Sequence, residues 1–142
     1  MDEIVEVDVS LDSGMKFIGR DADGHEVVMD AAPEHGGEGA GFKPMALLLI
    51  SFGTCTAMDA VSIMRKKRQD VARFSIHLKG TRVADHPKVY SKIEVRFVFY
   101  GRDLSEEAAR RSVELSQEKY CSVGGMLKKA VPIEIQVETR PA

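Results

Sequence analysis

The two cysteines are the residues of this sequence best suited to chemistry. Cys55 lies in "GTCTAMDAVSIMRKKR" and Cys121 in "QEKYCSVGG", far apart in the chain and outside any Cys-x-x-Cys motif. From the residues alone two interpretations stay open. Each thiol packs in the core as a small hydrophobic side chain, or the two form a working redox pair, as cysteines of intracellular proteins often do.

A reactive Cys55 would need a cation beside it. The nucleophile is the thiolate, and Cys55 lies well inside a long apolar segment, where burial disfavours the charged form. Arg20, in "IGRDADG", ends a predicted strand and is the best candidate for that cation. The alternative for Arg20 is a solvated strand end.

Other reaction types have little support in the sequence. The histidines show no metal-site spacing, since none lies four residues from another or near a cysteine: His25, His35, His77 and His86. A G-x-S-x-G nucleophile motif is absent. The glycine-rich segment 31–43 is not a phosphate-binding loop, because Lys43 is followed by Pro44 rather than by serine or threonine.

Composition predicts one globular domain over 1–142. The chain has 142 residues, 44% hydrophobic and 30% charged. A net charge of -2 gives no field that would gather nucleic acid or an anionic membrane. The start "MDEIVEVDVS" lacks a secretory signal, and the longest apolar run, "MALLLISFG", is too short to cross a bilayer. We therefore expect a soluble cytoplasmic protein without membrane or nucleic-acid partners.

Alternation and turn signals predict an α+β fold with an antiparallel-rich sheet and a long buried central helix. In the first strand Val5, Val7 and Val9 alternate with acidic residues, the period of a half-buried strand. The predicted order is an N-terminal three-stranded meander 3–30, glycine-rich loop 31–43, central helix 44–69, strand pair 71–100, second helix 103–121, and short helix and last strand 122–139.

The central helix predicts a homodimer. It is apolar nearly all round in its first half, and such a helix must be buried on every side. One sheet covers only one side, so we expect a second subunit to cover the rest, with the helices between two sheets.

The basic run "RKKRQ" lies at the end of the central helix, where its positive charge complements the helix dipole. A nuclear-import or nucleic-acid patch is the alternative.

Two segments resemble the OsmC/Ohr family of thiol-dependent peroxidases, and the resemblance covers nearly the whole chain. "FKPMALLLISFGTCTAMDAVSIMRKKR" is similar to the family's pattern of a proline, an apolar stretch, a cysteine eleven residues after the proline and a long helix. "QEKYCSVGGMLKKAVPIE" is similar to its second cysteine segment, before the last strand. The resemblance implies an intertwined homodimer with active sites at the subunit interface.

The same resemblance assigns roles to three residues. Cys55 would be the peroxidatic thiol, Cys121 the resolving thiol and Arg20 the arginine that stabilises the thiolate. Cys55 would reduce an organic hydroperoxide, or hydrogen peroxide, and the resulting sulfenic acid would condense with Cys121 to a disulfide. A dithiol reductant of the lipoyl or thioredoxin type would reopen it. The chemistry needs no metal, haem or flavin cofactor.

Two positions depart from the family pattern. Met45 follows the helix-starting proline, where the organic-hydroperoxide branch has a glutamate that holds the arginine, which leaves Glu34 or Glu38 as substitutes. Ser122 follows Cys121 where proline is usual, a feature that resembles the less-characterised OsmC-like branch. The alternative function is a non-catalytic, stress-associated dimer that binds a small apolar or thiol ligand in its interface pocket. A third interpretation leaves both cysteines inert.

Overall fold

The fold is α+β, with two three-stranded sheets and a long central helix. The computed structural model describes residues 2–142, and the chain divides after Leu48 into two compact units. The predicted class is confirmed, although the strands form two sheets rather than one. That the two units make one domain over 1–142 stays a prediction.

The first unit contains an antiparallel meander. Its strands lie in the order β1-β2-β3, with these bounds: β1 Val7–Ser13, β2 Lys16–Asp21 and β3 Glu26–Met29. All of β1 is exposed, and Val7 and Val9 keep 64% and 63% of their surface. The predicted buried side of this strand is therefore wrong for the single chain, because the sheet is one layer within residues 2–48.

Asp30 holds the glycine-rich loop together. Its buried carboxylate accepts hydrogen bonds from the backbone amides of Ala31 at 2.8 Å, Glu38 at 3.1 Å and Ala40 at 3.1 Å. The Ala40 amide contributes most to keeping the pKa of Asp30 below its usual value, and burial opposes it. The segment predicted as a loop thus has a fixed path, with one 3₁₀ turn at Pro33–His35.

The central helix, α1, spans Pro44–Lys66. Pro44 starts it as predicted, since a proline in the first turn leaves no unmet amide donor. It ends at Lys66 rather than at residue 69, because Arg68 takes the left-handed region with φ 57°. Its buried residues recur at helical spacing: Phe52, Gly53, Thr56, Ala60 and Met64.

α1 is the one helix within residues 2–142 that is long and apolar enough, by length and composition alone, to span a membrane. The apolar character of α1 continues past the run "MALLLISFG", because small or hydroxyl-bearing residues interrupt it and Asp59 is the one acidic residue of the helix. A core helix of a soluble protein has the same composition, so this finding assigns no membrane to the chain.

The second unit begins within α1 and contains a mixed sheet. Its strands lie in the order β4-β5-β6, with these bounds: β4 Arg73–Arg82, β5 Tyr90–Tyr100 and β6 Ile133–Arg140. β4 and β5 are antiparallel, whereas β6 runs parallel to β5. A parallel pair needs a long crossover connection, and helices α2, Glu106–Leu115, and α3, Ser122–Leu127, supply it. The core lies between this sheet and the helices, with Ile93, Val95, Phe97, Phe99, Phe52, Met64 and Val113 almost fully buried.

The predicted second helix, 103–121, forms two parts in the structure. α2 begins after Ser105, whose hydroxyl accepts from the Ala108 amide at 3.1 Å. A π-helical turn at Ser116–Tyr120 follows. The helix ends at Cys121, whose backbone is extended, and α3 starts after it, where the short helix was predicted.

Candidate functional site

The second unit brings the two cysteines together. Both thiols are free. Cys121 is 4% exposed, while Cys55 is half-buried and packs against the same core. The hydroxyl of Thr56, the residue after Cys55, donates to the Cys121 sulfur at 3.2 Å. Burial raises the pKa of the Cys121 thiol, and Cys55 adds to that rise. Two cysteines distant in sequence therefore form one local cluster.

The Cys121 sulfur accepts two hydrogen bonds. The Thr56 hydroxyl donates to Sγ at 3.2 Å, and the Gly124 amide donates at 3.2 Å because Cys121 caps α3. Burial is the largest effect and raises the pKa of the Cys121 thiol, while these two donors oppose it. Cys121 is thus a protonated thiol at neutral pH that already faces two donors suited to its thiolate.

Gln117 fixes the direction of the Thr56 hydroxyl. The Gln117 amide nitrogen donates to Thr56 Oγ1 at 2.6 Å. A hydroxyl has a single proton, so an oxygen that accepts from Gln117 directs its own proton to Cys121. The sequence gives Gln117 this position through the π-helical turn, which widens the helix by one residue per turn; such turns are frequent at functional sites.

A second hydrogen bond joins the π-helical turn to α1. The Ser116 hydroxyl donates to Asp59 Oδ2 at 2.7 Å, about one turn along α1 from Thr56. Ser116 is fully buried, and its hydroxyl makes no hydrogen bond to either sulfur among the contacts described for residues 2–142. Two hydrogen bonds described within residues 2–142 therefore join the turn to α1, and the one from Gln117 leads through Thr56 to the Cys121 sulfur.

Gly124 allows the close approach of backbone to sulfur. A β-carbon at this position would lie 3.1 Å from Cys121 Sγ and 3.0 Å from the ring of Phe52. Both separations are tighter than ordinary carbon contacts. A glycine here lets the amide reach the sulfur while Phe52 closes the other side.

Arg20 is paired inside the first unit. Its Nε donates to Glu26 Oε2 at 2.5 Å and its Nη1 donates to Ser10 Oγ at 3.2 Å. Glu26 lies opposite Arg20 in the β2–β3 register. The carboxylate paired with Arg20 among the contacts described for residues 2–142 is therefore Glu26, and substitution by Glu34 or Glu38 stays a prediction.

Sequence reasoning missed three polar residues of these clusters. Glu26 was available from the sequence, because the tight turn "DADG" sets the hairpin register that places it opposite Arg20. Thr56 was marked only by being a polar residue in an apolar segment beside Cys55. Gln117 had no signal, because its direction depends on a π-helical turn that has no sequence signature.

An exposed cluster in the turn after β2 also groups potential metal ligands. Ligand atoms of Asp21, Asp23 and His25 lie within 4.8 Å of one another. Asp21 accepts from the backbone amides of Asp23 and His25, and His25 Nδ1 lies 2.7 Å from its other oxygen. The His25 side chain is the main reason that the pKa of Asp21 is lowered. These hydrogen bonds stabilise the turn, and they explain why the three side chains lie close together.

Known proteins are similar to this chain in sequence and in fold. Residues 36–136 match the family described as OsmC-like protein. Protein YhfA of Escherichia coli K12 is 42% identical over 120 residues, which are 84% of this chain and 87% of that protein. A hypothetical protein from Aquifex aeolicus, solved by crystallography, is 38% identical with a TM-score of 0.88, and the match covers 99% of both chains.

The fold extends to more distant relatives. The structure of an organic hydroperoxide resistance protein OsmC from Legionella pneumophila matches with a TM-score of 0.69 at 17% identity, covering 96% of this chain and 97% of that one. At this identity the likeness concerns the fold alone. The family match and the two nearer relatives establish the resemblance first seen in the cysteine segments: this chain belongs to the OsmC-like family.

Proposed function

We propose that this protein is a cysteine-based peroxidase that reduces organic hydroperoxides. The observation that carries the proposal is that free Cys55 packs against the core cluster containing free Cys121, where Thr56, the residue after Cys55, donates a hydrogen bond to the Cys121 sulfur at 3.2 Å. Membership of the OsmC-like family supports a redox role. Structural neighbours from Legionella pneumophila and Elizabethkingia anophelis are named organic hydroperoxide resistance proteins, which supports the substrate class.

In the proposed cycle Cys55 is the nucleophile. Its thiolate attacks the terminal oxygen of the hydroperoxide, the O–O bond breaks, and the alkoxide takes a proton and leaves as the alcohol. The sulfenic acid formed on Cys55 is then attacked by the Cys121 sulfur, which releases water and forms a disulfide. A dithiol of the lipoyl or thioredoxin type reduces this disulfide and returns both thiols.

Burial decides between the two cysteines as nucleophile. Cys121 is 4% exposed, and its sulfur accepts hydrogen bonds from the Thr56 hydroxyl and the Gly124 amide. Cys55 is half-buried, so a substrate reaches it first. A reactive thiolate needs a cation, and the proposal assigns that role to Arg20, whose guanidinium is held by Glu26.

We also propose that the protein works as a cytoplasmic homodimer. Ile50 and Met58 on one face of α1 are 43% and 69% exposed in the single chain, and Val7, Val9 and Leu11 are exposed along β1. Apolar faces of this extent are typical of interfaces between subunits. A second copy of the chain would cover them.

The non-catalytic binding dimer is the second candidate. Met45 favours it, because the family's orienting glutamate is replaced at this position. The pairing of Glu26 with Arg20 weakens this argument, since it supplies a carboxylate from another strand. We therefore prefer the peroxidase.

Hydroperoxide consumption tests the proposal. With cumene hydroperoxide and dihydrolipoamide, the wild-type protein is expected to turn over continuously and Cys55→Ser to lose turnover entirely. With one equivalent of hydroperoxide and no reductant, Cys121→Ser is expected to release one alcohol per chain and lose the Cys55 thiol without forming a disulfide, because the sulfenic acid on Cys55 has no thiol to condense with. Continuous turnover by Cys55→Ser would refute the assignment.

A further inference from the structure

We infer that the reductant opens the Cys55–Cys121 disulfide at the Cys55 sulfur, and that Cys121 leaves as a thiolate held by the Thr56 hydroxyl and the Gly124 amide. Gln117 acts as a positioning residue for Thr56. This inference rests on the proposed function, in which the two cysteines form a disulfide. It assigns unequal roles to the two sulfurs in the reduction step.

Access favours attack on Cys55. Thiol–disulfide exchange requires the incoming thiolate to approach one of the two sulfurs directly, and its rate depends on which one can be reached. Cys121 is buried in the core at the start of α3. Cys55 is half-buried on α1. An external dithiol therefore meets Cys55 first.

The hydrogen bonds favour Cys121 as the leaving sulfur. The sulfur that leaves gains a full negative charge, and a better stabilised thiolate leaves faster. Thr56 and Gly124 both donate to the Cys121 sulfur at 3.2 Å, and hydrogen bonds to a charged acceptor are stronger than those to a neutral one. The two hydrogen bonds therefore stabilise the Cys121 sulfur most when the disulfide breaks and negative charge develops on that sulfur.

Gln117 keeps the Thr56 proton on the sulfur. Because the Gln117 amide donates to Thr56 Oγ1 at 2.6 Å, the hydroxyl proton is directed toward Cys121 rather than toward the helix backbone. Gln117 is half-buried and touches neither reacting atom in its hydrogen bonding. Its effect on the step passes through Thr56.

The step balances as a two-electron exchange. The reductant thiolate attacks Cys55 Sγ and forms a mixed disulfide, while the Cys55–Cys121 bond breaks and its electron pair moves to Cys121 Sγ. Cys121 then takes up a proton. The second thiol of the reductant then attacks the reductant sulfur that is bonded to Cys55. This releases the Cys55 thiolate and leaves the reductant as a cyclic disulfide.

Trapping the mixed disulfide tests the direction of attack. The disulfide is made with diamide, so that its formation does not depend on peroxidase activity, and is then treated briefly with excess glutathione, an aliphatic monothiol basic enough to attack an alkyl disulfide. Excess maleimide stops the reaction, and peptide mass spectrometry locates both groups. We expect the glutathione on Cys55 and the maleimide on Cys121; the reverse placement would overturn the inference.

Variants test the donors. Thr56→Val is expected to slow single-turnover reduction of the diamide-formed disulfide by dihydrolipoamide roughly tenfold, the effect of one hydrogen bond to a charged group, and Thr56→Ser to restore it. Gln117→Glu is expected to act like Thr56→Val, because a carboxylate would accept the Thr56 proton instead of donating to its oxygen. In a Cys55→Ser background, Thr56→Val should also move the Cys121 thiolate absorbance to higher pH.

Ser116→Ala is the matched control. It removes the other hydrogen bond between the π-helical turn and α1, so it should lower stability without slowing reduction. Equal slowing by Ser116→Ala and Thr56→Val, or no rescue by Thr56→Ser, would contradict the role of the hydroxyl.

The outcomes separate this inference from the proposed function. If the protein consumes no hydroperoxide, the proposed function falls, and labelling of the diamide-formed disulfide still decides the direction of attack. If hydroperoxide is consumed but the label lies on Cys121, only the inference falls. Failure of diamide to form any Cys55–Cys121 disulfide would overturn both.

Discussion

At Cys121 two opposing effects act on one thiol. Burial favours the neutral form, whereas the Thr56 hydroxyl and the Gly124 amide favour the thiolate. Burial is the larger effect, so the pKa of the thiol is raised in the folded, reduced protein. The site therefore keeps Cys121 neutral at rest while its donors are ready for a charge that forms during reaction.

This raised pKa predicts how stability depends on pH. The unfolded chain releases the Cys121 proton near pH 8.5, whereas the folded chain retains it to higher pH. The free energy of unfolding of the reduced protein is therefore expected to fall as pH rises above about 8.5, until pH reaches the raised value. Urea unfolding of wild type and Cys121→Ala at several pH values checks this: the variant should lack that part of the slope, and parallel slopes would contradict it.

The partner of Arg20 is a second prediction at the residue scale. If Glu26 orients Arg20 for Cys55, Glu26→Gln should slow oxidation of Cys55 by hydroperoxide by roughly two- to fivefold, the range of an exposed ion pair. Glu34→Gln and Glu38→Gln are the controls, since neither side chain pairs with Arg20 within residues 2–142. Stopped-flow measurement of thiol oxidation compares them, and equal rates in all three variants would exclude Glu26 from this role.

The sequence could indicate candidate site residues only where they lie in a recognisable segment. The cysteine segments and "GRD" marked Cys55, Cys121 and Arg20. Thr56 and Gln117 act through a hydrogen bond between two elements, and no local pattern reports where a side chain points across such a contact. The sequence therefore indicated which sulfurs to consider and left out the groups that hold one of them.

Among the elements, the loop 31–43 has a well-defined anchor in Asp30. Two of its amide donors, Glu38 and Ala40, share Oδ2, while Ala31 donates to Oδ1. Asp30→Asn would place an NH₂ group on one oxygen position and leave an acceptor on the other. If the NH₂ group replaces Oδ2, the Glu38 and Ala40 bonds are lost and the Ala31 bond remains.

Hydrogen exchange checks this effect. In Asp30→Asn the Glu38 and Ala40 amides are expected to exchange faster, with Ala31 as the internal control. Because the pKa of Asp30 is lowered by folding, its stabilisation is present above about pH 3.9 and is lost as pH falls through the lowered value. If the NH₂ group replaces Oδ1 instead, Ala31 alone is expected to exchange faster. Unchanged protection of all three amides would show that Asp30 does not hold the loop.

Element prediction succeeded where local rules decide the structure. Pro44 marked the start of α1, and alternation marked both strands of the β4–β5 hairpin. It failed at the π-helical turn Ser116–Tyr120, because the pattern of a helix does not reveal one extra residue in a turn. It also failed for burial of β1, since alternation predicts two unlike faces but not what covers either of them.

For the whole molecule, the uncovered apolar faces of α1 and β1 lead to the proposed homodimer. Met58 is the most exposed apolar residue of α1, at 69%. Met58→Glu would place an unpaired charge in the interface and is expected to weaken the dimer roughly a hundredfold or more. Met126→Glu is the control, because Met126 is equally apolar and exposed but lies on α3.

Analytical ultracentrifugation over a range of concentrations compares the two variants with wild type. Wild type and Met126→Glu are expected to be dimers and Met58→Glu a monomer at micromolar concentration. A monomeric wild type would refute the dimer, and a dimeric Met58→Glu would exclude this face of α1 from the interface.

Thiol titration after one equivalent of hydroperoxide tests the central claim most directly. Reduced protein is mixed with one cumene hydroperoxide per chain without reductant, and free thiols, cumyl alcohol and disulfide-linked peptides are measured. We predict the loss of both thiols, one alcohol per chain, and a peptide pair joined through Cys55 and Cys121. Retention of both thiols would contradict the account.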